Sequence, residues 1–134
     1  MTTGSWTIRL LRFALGGIFV VAGAIYLAAD LGLPVQPPKE EVESAEAFMQ
    51  ALRASGFIIP LMYIFFLAGG VATWFDRTAP LGLVILAPFI AVILFFHLML
   101  TGFWIWGCAW AAIHLMLLWS YRARFAPLWT LPLT

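Results

Sequence analysis

Charge is scarce in this chain: 10% of its 134 residues are Asp, Glu, Lys or Arg, against about a quarter in an ordinary soluble domain. The net charge is +1, and the basic residues Arg9, Arg12, Lys39, Arg53, Arg77, Arg122 and Arg124 form no block. Nucleic-acid binding through a basic face therefore has no support. Cysteine is scarcer still. Cys108 stands alone, so there is no internal disulfide and no CxxC pair. That rules out the four-helix thiol oxidoreductases, whose paired cysteines exchange electrons with a quinone. His97 and His114 lack carboxylate or thiolate companions, so no metal site is expected.

Apolar residues take the place of charge, at 64% of the chain. A soluble fold of this length has too little interior to hide them, so most must face lipid. Three stretches carry no charge: Phe13 to Ala29, Phe57 to Phe75, and Thr78 to Tyr121. Each of the first two suits one crossing of a core about 30 Å thick, which needs about 20 helical residues. The third would extend about 66 Å as one helix, so it must fold back. Thr101-Gly102 is the natural turn, because Gly permits it. The expectation is an all-α, integral membrane four-helix bundle forming one domain. Its spans lie near 8–30, 57–75, 80–100 and 103–121, with an outer loop at 31–56 and an inner tail at 122–134.

Orientation follows from the positive charges. Arg9, Arg12, Arg77, Arg122 and Arg124 share one side of a four-span arrangement and Lys39 and Arg53 the other, which places both termini in the cytoplasm, with a bacterial inner membrane as the setting. Trp6, Trp74 and Trp119 mark the inner interface, Trp104 and Trp106 the outer. A cleaved signal peptide is the competing reading of the N-terminus, but its apolar run is longer than the usual region of about 7 to 15 residues.

In the outer loop, Pro34, Pro37 and Pro38 keep the first helix from continuing. From about Val42 to Ala54 the pattern predicts a short amphipathic helix with Ala45, Phe48, Met49 and Leu52 on its apolar face. Glu40, Glu41, Glu43 and Glu46 gather at its start and Arg53 at its end, as the helix dipole favours. It reads either as a lid over the bundle's outer end or as a docking surface. The tail mixes Arg122 and Arg124 with Phe125, Leu128, Trp129 and Leu131, and Pro127 and Pro132 forbid a long helix there.

Small residues mark helix contacts in lipid: Gly16 and Gly23, Ala24 and Ala28, Ala68 and Ala72, and the Gly69-Gly70 pair. Pro88 is expected to kink the third span, for fit or to open space for a ligand. His97 and His114 differ in depth by about 10 Å along their helices, too far apart to share one haem iron. Each is read as a neutral imidazole hydrogen-bonded to a neighbouring helix, or as a contact for a quinone or bound lipid, with Trp104 beside His97. Transport has little support, because no Asp, Glu, Lys or Arg is expected to be buried within the spans.

The strings RFALGGIFVVAGAIYL (Arg12 to Leu27), AFMQALRASGFIIPLMYIFFLAGGVATWFDRTAPLG (Ala47 to Gly82) and HLMLTGFW (His97 to Trp104) resemble the DoxX family of small four-helix membrane proteins. The resemblance implies four membrane helices and, in some members, sulfur-compound or quinone redox chemistry. Members often carry an acidic residue where this chain has Phe66 and a lysine where it has Tyr26, and many have an acidic residue in helix four, which Cys108 to Ala112 lacks. The preferred expectation is a non-catalytic accessory subunit of a larger membrane assembly, electron-transfer or photosynthetic, in contact with lipid and other membrane proteins. The alternatives are a redox component touching a quinone at His97 and Trp104, and a small oligomeric transporter.

Overall fold

The computed structural model describes residues 5–130; Leu131 and Pro132 of the expected inner tail lie outside them. The described chain is all helical, with no strand among the described residues. Its elements are α1 (Trp6–Asp30), α2 (Glu43–Ala54), α3 (Ile58–Trp74), α4 (Ala79–Phe96) running into a π-helical turn (His97–Thr101), α5 (Trp104–Ser120), and the single turns α6 (Arg122–Phe125) and α7 (Pro127–Thr130).

α1, α3, α4 and α5 alternate in direction and close into a ring: α1 packs on α3, α3 on α4, α4 on α5, and α5 on α1. Among the described residues two elements are long and apolar enough to cross a bilayer, α1 and the continuous Ala79–Thr101 stretch; a third counts if α2 and α3, bent by 95°, form one broken span. α5 is a shorter apolar helix. The outer surface is apolar all round, with Leu10, Val21, Ile64, Leu81, Val84, Phe95, Leu115 and Trp119 all exposed. An interior this small and an exterior this apolar are the pattern of a chain dissolved in lipid.

Local chemistry sets the boundaries. Ser5 caps α1 by accepting a hydrogen bond from the Ile8 N–H at 3.3 Å. At the other end Gly32 takes φ +77°, and the N–H groups of Gly32 and Leu33 bond back to Ala29 and Ala28 at 3.0 Å. This left-handed termination stops α1 before the prolines act. Gly102, at φ +72°, ends the π turn where the sequence places the fold-back. Pro88 lies within α4, which continues unbroken past it.

Close approach of α1, α3 and α4 depends on glycine. A Cβ at Gly16 would sit 2.6 Å from both the Gly70 carbonyl oxygen and Trp74 Nε1, and one at Gly82 would sit 2.7 Å from the Gly69 carbonyl oxygen. Gly23 and Gly70 are similarly walled in. Ala28 and Ala72 are half-buried, whereas Ala24 and Ala68 face outward. Sequence spacing identifies small residues without saying which side of the helix meets a neighbour.

Candidate functional site

α2 lies across one end of the ring. Ala45 is fully buried, Phe48 packs at a tilt against Phe96 with centroids 5.7 Å apart, and the Ser44 hydroxyl donates to the Leu100 carbonyl at 3.2 Å. The amphipathic face expected from the sequence is thus turned onto the bundle, as a lid. Glu46 accepts from the Glu40 backbone N–H at 3.2 Å and from Arg53 at 3.0 Å, which folds the loop against the lid. Those two contacts, the backbone N–H first, hold the Glu46 carboxyl below its ordinary range.

Beneath the lid is a cavity of about 260 Å³. Phe48, Met49 and Leu52 roof it; Ile18, Phe19, Ala22 and Tyr26 of α1, Met62 and Phe66 of α3, Val92, Ile93 and Phe96 of α4, and Trp106 and Trp110 of α5 wall it. His97 and Glu40 complete the lining. Such an apolar, aromatic chamber with a few convergent polar groups suits an apolar molecule with a polar head. Tyr26 and Phe66 both face this cavity, although forty residues separate them. Phe66 packs edge-on against Phe19 and Phe89, with centroids 4.8 and 5.3 Å away.

The structure separates the three residues singled out as ligand contacts. His97 lines the cavity, and its Nδ1 lies 3.0 Å from Thr101 Oγ1 within the π turn, a helical irregularity of the kind that accompanies functional positions. Trp104 is 56% exposed and outside the lining. His114 is buried in α5, away from the cavity, and neither ring nitrogen has a hydrogen-bond partner among the described residues. The expected bond to a neighbouring helix is therefore absent at His114, and at His97 the partner is on its own turn. His97 abuts Gly107, which is seven residues and so about 10 Å from His114 along α5. Trp106 and Trp110, which the sequence offered only as interface markers or not at all, are the tryptophans that do line the cavity.

At the opposite end lies a charged cluster. Arg12 is only 7% exposed, contrary to the expectation that no charge is buried along the spans. Its Nη1 donates to Asp76 Oδ1 at 2.9 Å and to the Tyr121 hydroxyl at 2.8 Å. Tyr121 in turn donates to Asp76 Oδ1 at 2.7 Å, and Arg124 bonds both the carboxylate and the backbone carbonyl of Asp76. One carboxylate thereby joins α1, the α3–α4 turn, the end of α5 and α6. The hydrogen bond from Tyr121 and then Arg124 hold the Asp76 carboxyl below its ordinary value of 3.8, against an opposing effect of burial. A short polar turn and a tyrosine 45 positions later carry no local signal of this partnership.

Compared with family models, with curated proteins and with solved structures, the chain matches none.

Proposed function

We propose that this chain is a DoxX-like membrane protein of four spans, with α1, α3, α4 and α5 crossing a bacterial inner membrane and both termini cytoplasmic. In this reading it is a non-catalytic packing or accessory subunit of a larger electron-transfer or photosynthetic assembly. At 17 residues each, α3 and α5 reach the lower end of spanning length, which is about 17 to 25 residues. The observation that carries the accessory role is the outward face of these two helices. Ala68 is exposed between Ile64 and Val71 on α3, and Ala109 and Ala112 are exposed between Ile105 and Met116 on α5. Small residues flanked by large ones form a shallow groove, which lets a foreign helix approach closely in lipid.

Purification in mild detergent, read by mass spectrometry, tests the role. Membrane proteins should accompany the wild type and be lost from Ala68→Leu or Ala112→Leu; a lone wild-type monomer refutes it. The topology is tested separately in a Cys108→Ala background, where a cysteine at Glu43 should label only from outside and one at Arg77 only from inside. The quinone reading keeps one of its residues at the cavity, His97, and is an outcome of the experiment below. The transporter reading rests on size and span count, and proteoliposomes without flux would end it.

A further inference from the structure

The cavity under α2 carries one feature that neither lipid packing nor a neutral ligand uses. Glu40 contributes to its lining and is half-buried, yet its carboxylate makes no hydrogen bond and no ion pair among the described residues. The nearby cations do not neutralise it: Arg53 is held by Glu46 at 3.0 Å, and Lys39, which precedes Glu40 in the chain, is exposed and forms no ion pair with it among the described residues. The same cavity is lined by four aromatic side chains, Tyr26, Phe96, Trp106 and Trp110. Trp106 and Trp110 meet edge to face at 5.5 Å, so their rings line the chamber at two different tilts. A carboxylate together with several ring faces is the arrangement that recognises an organic ammonium: the carboxylate supplies the charge, and the ring quadrupoles replace part of the water the cation gives up.

We propose that this cavity binds a lipophilic ammonium, with the cationic head between Glu40 and the Trp106–Trp110 pair and the apolar remainder against Phe19, Met62 and Phe66. The volume, about 260 Å³, falls just below the range of about 300 to 1,000 Å³ that encloses a drug-sized ligand, so it takes a head and a short apolar body. Val92 and Trp106 line the cavity and are also exposed, at 53% and 43%, so the chamber reaches the outer surface. The ammonium can come from the headgroup of a membrane lipid or from a free amine. This inference is independent of the accessory role, since the partner-binding grooves lie on the outer faces of α3 and α5.

The test is thermal unfolding of the full chain in maltoside micelles, titrated with benzylammonium, with benzyl alcohol as a neutral probe of similar size, and with a short-chain benzoquinone. Ligand that binds the folded state raises the midpoint by mass action. Benzylammonium should bind about tenfold tighter than benzyl alcohol, the discrimination that a partly desolvated cation–aromatic and charge contact supplies. In Glu40→Gln that preference should fall to within about twofold while the alcohol binds as before; Trp110→Phe, which keeps a ring, should retain most of it. Glu40→Gln removes no hydrogen bond, so it should fold. Equal affinities in the wild type, or a preference that survives Glu40→Gln, overturns the proposal. So does a quinone that binds more tightly than the ammonium and depends on His97, which would instead favour the quinone reading. The source is resolved in nanodiscs at a fixed phosphatidylglycerol fraction, which holds the surface potential constant: if exchanging the remaining neutral glycolipid for phosphatidylethanolamine weakens benzylammonium binding, the lipid headgroup is the ligand, and if it does not, a free amine is.

Discussion

Removing the carboxylate of Asp76 perturbs a polar junction that ties the ends of α1 and α5 to the α3–α4 turn. In Asp76→Ala the Arg12 guanidinium, 7% exposed, keeps the Tyr121 hydroxyl at 2.8 Å but loses its only anionic partner among the described residues. Stripping the partner from a buried charge costs about 3–5 kcal/mol. The Asp76 side chain is 48% exposed, so water enters the vacated space and the cost falls to about 2–3 kcal/mol. For a chain of this length that lowers the melting temperature by about 10 °C. Arg124 bonds the same carboxylate from a side chain 39% exposed, and Arg124→Ala should cost less than about 1 kcal/mol. Thermal unfolding in maltoside micelles, followed by tryptophan fluorescence, measures both. If Asp76→Ala and Arg124→Ala shift the midpoint equally, or if neither shifts it, burial of Arg12 is not what gives the junction its strength. A double-mutant cycle with Tyr121→Phe should return a coupling of about 1 kcal/mol or more, because the two side chains share one hydrogen bond and one cation.

The same junction has a pH signature. Because the folded Asp76 carboxyl is held below 3.8, its stabilisation is complete above that value and is lost as pH falls through the lower folded value; the gap between wild type and Asp76→Asn should be constant above about pH 5 and close on further acidification, and a gap that widens in acid would contradict the sign. Gly16→Ala should destabilise by about 1–3 kcal/mol through overpacking against Gly70 and Trp74, while Gly17→Ala, whose Cβ meets nothing within 4 Å, should be neutral or stabilising in the same melt. His114→Phe should cost nothing or add about 1 kcal/mol of stability, since both ring nitrogens are buried without partners among the described residues; a large loss would reveal a partner for the imidazole.

Much of the architecture is legible in the residues because lipid leaves so few solutions. A run from Thr78 to Tyr121 without formal charge has to be helical and has to turn once, and a glycine marks the turn; the helices found, Ala79–Phe96 and Trp104–Ser120 around Gly102, follow from that. The amphipathic helix was equally readable, since Ala45, Phe48, Met49 and Leu52 recur at helical spacing and only one face of α2 can be buried; that this face closes on the bundle as a lid was one of two readings. Glycine approach at Gly16 and Gly70 was visible as small-residue spacing, although the same spacing pointed to Ala24 and Ala68, which face outward.

The site was decided elsewhere. Nothing local to Tyr26, Glu40, Phe66, His97 or Trp110 indicates that they meet around one chamber, and nothing near Arg12 shows that a turn 64 residues later brings it a carboxylate. Periodicity reports which face of a helix is apolar, and in lipid every face is apolar, so the signal that separates inside from outside in a soluble bundle is lost. Hydropathy alone therefore determined that this chain lives in a membrane as antiparallel helices with an amphipathic helix between the first two. Which side chains converge at the two ends of the bundle depended on helix rotation and register, set by where backbones pack closely enough, at Gly16, Gly70 and Gly82, for dispersion to hold them.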